Sequence, residues 1–278
     1  MKPLTLQKDA WLKVDEVVTH QLTPNTGGNF EAGQPDTLVI HFTGGRNPQS
    51  SANWLCNPKA KASAHMIIGK EGEVIQLADF TTITWHAGRS TWDGRSGLNR
   101  YSIGIELDNA GQLEARADGY YTWFGVKVPE AEVLHRTRRH HKTPGWWQTY
   151  TEAQIERVEQ LLALLIETYG IQTIVGHEEI SPGRKVDPGP AFPLEQLRLR
   201  LLAGDRSEQA EADHQEFKSQ GIVTANRLNI RKQPNINSPI VADPLKKGTL
   251  VSIDQEQADW VKVRLETEGW VKKEYLRI

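Results

Sequence analysis

The segment IVGHEEISPGRKVDPG, residues 174–189, brings an imidazole, a carboxylate and an ammonium group together in one short stretch. His177 follows an apolar run, Asp187 comes ten positions later, and Lys185 stands two positions before Asp187. Histidine nitrogen and carboxylate oxygen suit a borderline cation such as Zn²⁺. The prolines and glycines predict turns that fix the positions of these side chains. Spacing alone leaves a structural alternative open, in which the histidine bonds to the backbone and the aspartate serves a turn.

A second histidine, His41, lies near the end of another short apolar run. TLVIHF, residues 37–42, leads into a pair of glycines, which is the pattern of a buried strand that closes in a loop. Side chains at the ends of neighbouring strands converge at one edge of a sheet. His41, His177 and Asp187 could therefore supply three metal ligands and leave a position for water, as in catalytic zinc sites.

Glu106 and Lys185 are candidates for the remaining roles in a zinc hydrolase, which needs a base for its water and a cation for the developing oxyanion. Glu106 lies within the apolar run SIGIEL, residues 102–107, which predicts a strand. A carboxylate inside such a strand is costly unless it has partners, so Glu106 suits the role of base. A buried salt bridge is the structural alternative for Glu106.

The elements around these residues predict an α/β domain. AHMIIGKEGEVIQL, residues 64–77, has two apolar runs around Gly-Lys-Glu-Gly, the pattern of a hairpin. Residues 151–169 are predicted to form a helix, because Thr151 and Gln154 make a capping box and a glycine follows the last apolar position. PLEQLRLRLL, residues 193–202, predicts a closing helix. Strands and helices thus alternate along the chain.

The chain is predicted to form two domains, since 278 residues are long for one ordinary domain. Residues 205–220 are polar and charged, which predicts a linker. Residues 221–278 carry short strand-like runs separated by turns, which predicts a small all-β barrel. The larger domain would then occupy residues 1–204.

Composition excludes several classes of protein. The chain is 38% hydrophobic and 24% charged, and none of its apolar stretches approaches the roughly 20 residues of a membrane span. A net charge of −2 with mixed signs gives no basic field for nucleic acid. One cysteine, Cys56, excludes an internal disulfide and a multi-cysteine zinc site. The charged amino terminus lacks the apolar stretch of a secretory signal, so we expect synthesis in the cytosol.

Six stretches of the chain resemble the type-2 N-acetylmuramoyl-L-alanine amidases, which are relatives of the peptidoglycan-recognition proteins. The stretches lie in the expected order and at the expected separations, over about residues 35–200. They are VIHFTGG (39–45), SANWLCNP (51–58), SAHMIIGKEGEVIQL (63–77), WHAGRS (85–90), NRYSIGIEL (99–107) and IVGHEEISPGRKVDPGPAFP (174–193).

The resemblance implies a fold, a cofactor and a reaction. It implies a mixed β-sheet flanked by helices, with His41, His177 and Asp187 as the ligands of Zn²⁺. Glu106 would polarise the attacking water, and Lys185 would stabilise the tetrahedral intermediate. The bond cut would be the amide between the lactyl group of N-acetylmuramic acid and L-alanine, in peptidoglycan or in muropeptides. The alternative is a non-catalytic peptidoglycan-recognition protein, although such relatives typically lose a metal ligand.

The matched stretches also predict contacts with substrate. Trp85 and His86 are expected at the wall of the groove and Asn99 is a further groove residue, whereas His65 is expected to be a hydrogen-bonded framework residue. Phe42 departs from the family pattern, because many relatives place a polar residue directly after the first ligand. A substrate contact is therefore in doubt at Phe42.

The segment at about 114–150 is longer than compact members of this family need. We expect this insertion to rim the substrate groove. It contains HRTRRHHK, residues 135–142, which is interpreted as a solvated basic loop in preference to a metal motif.

Cys56 suggests an alternative type of enzyme, a Cys/His hydrolase in which the thiol is the nucleophile. Its neighbours Trp54-Leu55 and Asn57-Pro58 predict instead a buried small side chain before a turn.

The carboxy-terminal segment resembles bacterial SH3 domains in LNIRKQP (228–234), KKGT (246–249) and the tryptophan-containing runs within 260–276. The resemblance implies binding to the cell wall or to peptides, which would hold the enzyme near polymeric substrate. A packing module without its own ligand is the alternative. Action in the cell wall or periplasm would require export or lysis.

Overall fold

The structure, a computed structural model, describes residues 1–138, 143–202, 219–247, 249–257, 259–264, 269–272 and 276–277. The chain divides into two compact units, Met1–Gly204 and Asp205–Ile278. None of the helices within the described ranges combines the length and the apolar character that crossing a membrane requires. The predicted linker at 205–220 lies outside the described residues, apart from the last two, which begin a strand of the second unit.

The first unit contains short strands and helices that alternate along the chain. In chain order its strands are β1 (Val18–His20), β2 (Thr26–Asn29), β3 (Thr37–Phe42), β4 (Met66–Ile68), β5 (Val74–Gln76), β6 (Thr82–Thr84), β7 (Thr91–Trp92), β8 (Arg95–Ser96), β9 (Ser102–Leu107), β10 (Gln112–Arg116), β11 (Gly119–Tyr121), β12 (Lys127–Val128), β13 (Val133–Arg136), β14 (Gly145–Gln148) and β15 (Thr173–Gly176). Its α-helices are α1 (Pro48–Leu55), α2 (Glu152–Tyr169), α3 (His177–Ile180) and α4 (Leu194–Leu202).

The main sheet of this unit has the strand order β1-β5-β4-β9-β3-β15. β3 pairs in parallel with both β9 and β15, whereas β4 and β5 form the predicted antiparallel hairpin. The sheet is therefore mixed, and the predicted α/β class is confirmed. β3 and β9 are buried along nearly their whole length, which explains why their sequences are continuous apolar runs and do not alternate.

Helix α2 covers one face of the main sheet. Thr151 caps its first turn in a capping box with Gln154, and Gly170 ends the helix in the left-handed conformation at φ 66°. Both boundaries agree with the sequence prediction. The helix buries one apolar face in the main core together with side chains of β3, β4 and β9; its buried apolar residues are Val158, Leu161, Leu162 and Leu165.

A second sheet, the inserted sheet, consists of β10 to β14 in the order β12-β11-β10-β14-β13. It occupies most of the segment predicted as an insertion. The pairs within it are antiparallel, and it has a small core around Leu113 and Val128. Gly111, the residue before β10, packs on β3, because the ring of Phe42 fills the space that a side chain at Gly111 would need. Of the predicted basic loop, residues 139–142 lie outside the described residues.

The second unit is built of β-strands in its described residues. They are β16 (Ser219–Val223), β17 (Arg227–Arg231), β18 (Ile240–Lys246), β19 (Leu250–Gln257), β20 (Trp260–Arg264), β21 (Gly269–Lys272) and β22 (Leu276–Arg277). The strands lie in the order β18-β17-β21-β20-β19-β16-β22. Alternate residues such as Leu228 and Ile230, or Val261 and Val263, form its own core. Parts of the turns quoted in the sequence, including Gly248 and residues 265–268 and 273–275, lie outside the described residues.

Candidate active site

Parallel strands of the main sheet end at one common edge. β3 lies between β9 and β15, and the register places His41 opposite Glu106 and Ile40 opposite Gly176. His177 follows Gly176 directly as the first residue of α3. The carboxyl ends of parallel strands meet at the same edge of a sheet, so the fold brings both histidines and Glu106 together.

Asp187 completes a buried cluster with the two histidines. Nδ1 of His41 lies 2.9 Å from Nδ1 of His177 and 2.9 Å from Oδ2 of Asp187. Nδ1 of His177 lies 2.9 Å from the same oxygen. His41 is 1% exposed, His177 2% and Asp187 6%. One atom from each residue thus faces a common centre, away from solvent.

The loop after α3 is held so that Asp187 reaches the histidines. The amide of Glu178 donates a hydrogen bond to the Asp187 carbonyl at 2.8 Å, and the hydroxyl of Tyr150 donates to the Pro188 carbonyl at 2.8 Å. Gly176 permits the close approach of this loop, since a Cβ atom there would lie 2.7 Å from Cδ of Pro188. The glycine before His177 and the proline after Asp187 therefore fit one another.

The outer nitrogen of His177 is bonded to the backbone. Nε2 of His177 lies 3.1 Å from the Ala87 carbonyl, which can only accept, and 3.5 Å from Nη2 of Arg184, which can only donate. The shorter contact places the hydrogen on Nε2, because Nη2 of Arg184 donates to the Ala87 carbonyl at 3.0 Å. The amide of Ala87 donates to Oδ1 of Asn99 at 2.7 Å, which holds this part of the loop in place. With this hydrogen on Nε2, Nδ1 of His177 is free to present a lone pair to the cluster.

The outer nitrogen of His41 contacts a third histidine. Nε2 of His41 lies 3.0 Å from Nδ1 of His86, and the two rings meet nearly at right angles. Burial lowers the pKa of His41 to about 4. The His41 ring is therefore neutral at neutral pH and has a single hydrogen to place.

The cluster fits a cation better than it fits a set of hydrogen bonds. Two nitrogens and one oxygen lie 2.9 Å from one another, and a hydrogen on one atom can point at only one of the others. His177 and the Asp187 carboxylate bring lone pairs, so at most the His41 ring could supply a hydrogen for three contacts. Buried acceptors that face each other are costly unless positive charge lies between them. Two imidazoles and a carboxylate are a ligand set of catalytic Zn²⁺.

Glu106 and Lys185 lie beside this cluster. Oε2 of Glu106 is buried and has no hydrogen-bond partner in the described part of the chain. Burial, with a contribution from the charge of Asp187, raises the pKa of Glu106 to about 8, and the charge of Lys185 opposes the rise. The Lys185 charge also acts on His41. A carboxyl group that titrates near neutral pH is suited to accept and release a proton.

A cleft of about 330 Å³ opens beside Glu106. Its other walls come from the loop between β3 and α1, from α1 itself and from the inserted sheet. Two tryptophans line it with much of their surface in solvent, Trp54 at 57% exposure and Trp123 at 72%. Nε1 of Trp123 donates to the Gly44 carbonyl at 2.7 Å, which ties the segment between β11 and β12 to the end of β3. The insertion therefore lies at the rim of this cleft. That it rims the substrate groove stays a prediction.

The predicted groove residues are not among those that line this cleft. His86 is 8% exposed and lies behind His41. Asn99 holds the Ala87 amide, which places it in support of His177. Trp85 is half-buried and packs beside Gly27, and it is not among the residues that line the cleft beside Glu106. Any contact of these residues with substrate stays a prediction.

His65 and Cys56 both make hydrogen bonds that indicate structural roles. His65 is fully buried, and its ring bonds to the Thr82 carbonyl at 2.8 Å and to the Gly104 amide at 3.0 Å, which confirms the predicted framework role. Sγ of Cys56 donates to the Gln21 carbonyl at 3.2 Å, and burial raises the pKa of this thiol. A thiol that stays protonated is a poor nucleophile, which disfavours the Cys/His alternative.

Comparison with known families assigns the class of protein. The family model for N-acetylmuramoyl-L-alanine amidase matches residues 31–190, and the bacterial SH3 domain model matches residues 224–277. The first match spans more than half of the chain. The chain therefore belongs to the N-acetylmuramoyl-L-alanine amidase family and is an enzyme, with a bacterial SH3 domain at its carboxy-terminal side.

Two named relatives agree with this assignment. The 1,6-anhydro-N-acetylmuramyl-L-alanine amidase AmpD of Escherichia coli K12 is 30% identical over 174 residues, which cover 62% of this chain and 74% of that protein. The N-acetylmuramoyl-L-alanine amidase AmiD of the same organism is 32% identical over 170 residues, which cover 58% of this chain and 51% of that protein. The structure of E. coli AmiD with anhydro-N-acetylmuramic acid-L-Ala-D-gamma-Glu-L-Lys has a TM-score of 0.46 and 25% identity, covering 77% of this chain and 73% of that chain.

Proposed function

We propose that this enzyme is a zinc-dependent N-acetylmuramoyl-L-alanine amidase, which hydrolyses the amide between the lactyl group of N-acetylmuramic acid and the L-alanine of the stem peptide. The observation that carries the proposal is the buried triangle of His41, His177 and Asp187 at the edge that also holds Glu106. Two relatives named as amidases for N-acetylmuramyl-L-alanine bonds support the substrate class.

The ligands of the cation would be Nδ1 of His41, Nδ1 of His177 and a carboxylate oxygen of Asp187. When bound, Zn²⁺ lowers the pKa of a water molecule and polarises a carbonyl oxygen. Burial of all three side chains keeps competing water away, and the backbone bonds of the loop hold Asp187 in position. Small displacements of such ligands would cost affinity, which is why the packed sheet edge is a suitable support.

Glu106 would move the protons of the reaction. Its carboxylate takes a proton from the attacking water and then gives that proton to the nitrogen of L-alanine as the amide bond breaks. The Lys185 ammonium group would stabilise the negative charge that develops on the carbonyl oxygen of the lactyl group. Water adds to the carbonyl carbon and the peptide leaves as an amine, so the products are a muramic carboxylate and a free stem peptide.

The cleft between α1 and Trp123 would hold substrate next to Glu106. Exposed indole faces suit the apolar faces of sugar rings and the aliphatic parts of a stem peptide. Intact peptidoglycan and soluble muropeptides present the same scissile bond, so either would fit the proposed reaction. The SH3 domain would bind wall polymer and raise the local concentration of substrate near the site.

The alternative that the sequence raised, a peptidoglycan-recognition protein that does not cut, is disfavoured. Such a protein needs the cleft, but it has no need of three convergent ligands with a carboxyl and an ammonium group beside them. Because all five residues lie at one sheet edge or in the loop beside it, hydrolysis is the better proposal.

Chelator treatment tests the proposal. Removal of metal should abolish release of stem peptide from a muramoyl-peptide, and added Zn²⁺ should restore it, with products measured by mass spectrometry. Cys56→Ser is the matched control and should keep nearly full activity, since the thiol is bonded to a backbone carbonyl. Activity that resists the chelator and disappears in Cys56→Ser would overturn the assignment.

A further inference from the structure

His86 lies directly behind a proposed zinc ligand. Its side chain is 8% exposed, and its Nδ1 lies 3.0 Å from Nε2 of His41. The ring fills space on β9 that exists only because residue 104 is glycine, since a Cβ atom there would lie 2.6 Å from Nδ1 of His86. The position of His86 is therefore set by the packing of two neighbouring segments and leaves little room for another ring orientation.

The hydrogen on the His86 ring can be placed from its other contacts. Nε2 of His86 lies 3.2 Å from the Ser102 carbonyl and 3.2 Å from the Ser102 hydroxyl oxygen. A carbonyl only accepts. The Ser102 hydroxyl donates its own hydrogen to the Leu98 carbonyl at 2.6 Å, so towards His86 it accepts as well. Nε2 of His86 must therefore carry the hydrogen.

The contact with His86 also fixes the position of the hydrogen on His41. A neutral imidazole has one ring hydrogen, and the Ser102 contacts place that of His86 on Nε2, so Nδ1 of His86 carries a lone pair. A contact of 3.0 Å between two ring nitrogens requires a hydrogen on one of them, and it can come only from Nε2 of His41. The hydrogen of His41 then points away from the cluster.

We propose that His86 is a positioning residue that fixes the tautomer and the ring orientation of His41, so that Nδ1 of His41 is left as a metal-binding lone pair. This inference rests on the proposed function, because it assigns a role toward Zn²⁺. His177 obtains the same result from a backbone carbonyl, that of Ala87. The two ligand histidines therefore differ: one is oriented by the main chain, and the other by a side chain that can be replaced.

Two substitutions separate this role from simple packing. His86→Leu removes the acceptor but keeps an apolar side chain, whereas His86→Asn can place an amide oxygen close to the position of Nδ1. We expect His86→Leu to bind Zn²⁺ about 10- to 100-fold more weakly than the wild type, as is typical when an outer partner of a metal ligand is lost. His86→Asn should recover most of that loss, although it too lacks the bond to Ser102.

The zinc dissociation constant is measured by competition with a chelator, with thermal unfolding of the metal-free proteins as the check that both variants fold. Equal weakening in both variants would mean that ring packing matters and the acceptor does not, which overturns the proposal. Wild-type affinity in His86→Leu would overturn it as well. A wild-type protein that fails to bind Zn²⁺ would instead refute the proposed function, and this inference with it.

A measurement on the unaltered protein does not depend on how the variants fold. Long-range ¹⁵N–¹H correlation spectra of the zinc-loaded wild type should show the ring hydrogen of His86 on Nε2 and that of His41 also on Nε2. A hydrogen on Nδ1 of His86 would make this nitrogen a donor, and the proposed role would be excluded.

Discussion

At the scale of single residues, a change at Glu106 tests the proposed catalytic role separately from metal binding. It lies across from His41 on the neighbouring strand, yet its carboxylate is outside the triangle of ligand atoms. We expect Glu106→Gln to keep its zinc and to lose turnover by about 10²- to 10⁴-fold, the usual contribution of a general base. Bound zinc is measured by elemental analysis and turnover by release of stem peptide.

A second acid-to-amide change controls for this result. Glu114 lies exposed on β10 and pairs with Arg116 at 2.8 Å, so Glu114→Gln should leave kcat unchanged. Loss of zinc in Glu106→Gln would show that this carboxylate is a ligand and not a base.

The residues of the site differ in how far sequence could predict them. His41, His177 and Glu106 each end or nearly end an apolar run, and such runs place side chains at a sheet edge. His86 offers no such signal. Its burial depends on Gly104, a residue of another strand, and on the register of that strand with β3. Contacts that depend on the pairing of distant segments are not contained in the local pattern around His86.

At the scale of elements, His65 joins the segment before β4 to β6 and β9. It bonds to the Thr82 carbonyl, to the Thr84 hydroxyl at 3.0 Å and to the Gly104 amide at 3.0 Å. These bonds use both ring nitrogens in the neutral form. Protonation would force the nitrogen that accepts from Gly104 to become a donor, so the strands are joined only while the ring is neutral.

This arrangement predicts a pH dependence of stability. Burial lowers the pKa of His65 in the folded protein from its ordinary value of 6.5 to about 4. The stabilisation is therefore fully present above about pH 6.5 and is lost as the pH falls towards 4. We expect the free energy of unfolding of metal-free protein to decrease over this window, and to decrease less in His65→Gln.

Denaturant unfolding at several pH values measures this effect. Part of the decrease in the free energy of unfolding with falling pH should remain in His65→Gln, because the pKa values of His41 and His86 are also lowered. An identical pH dependence in the variant and the wild type would contradict the role given to His65.

The inserted sheet gives a further prediction at this scale. Trp123 lines the cleft beside Glu106 and is held there by its bond to the Gly44 carbonyl. If it contacts substrate, Trp123→Ala should raise KM by up to about tenfold, since aromatic contacts contribute about 0.5–1.5 kcal/mol, while kcat changes little. Steady-state kinetics on a soluble muropeptide measures both constants.

Val126→Ala is the matched control for this prediction. Val126 is 49% exposed in the same segment between β11 and β12, and it does not line the cleft beside Glu106. It should leave KM unchanged. An unaltered KM in Trp123→Ala would mean that the indole stabilises the insertion without touching substrate. Sequence could place the insertion at the groove but could not single out Trp123, because nine tryptophans occur in the chain.

At the scale of the whole molecule, each unit has its own hydrophobic core. Side chains of the main sheet and α2 form one core in Met1–Gly204, and alternate strand residues form another in Asp205–Ile278. The order of the sequence motifs was sufficient to predict the fold class of each unit, because each motif belongs to a local element of one unit. The candidate catalytic residues all lie in the first unit, so we expect the second unit to affect which size of substrate is cleaved and not the chemistry of cleavage.

A protein shortened after Gly204 tests this division. Because the first unit keeps its whole core, we expect it to fold and to cleave a soluble muropeptide with unchanged kcat/KM. On purified sacculi it should release stem peptide more slowly than the full chain, since a wall-binding domain raises the local concentration of polymeric substrate. Thermal unfolding checks the fold, and mass spectrometry of both digests gives the rates. Equal loss on both substrates would show that the SH3 domain supports the catalytic unit structurally, and equal rates on both would show that it does not recruit the enzyme to the wall.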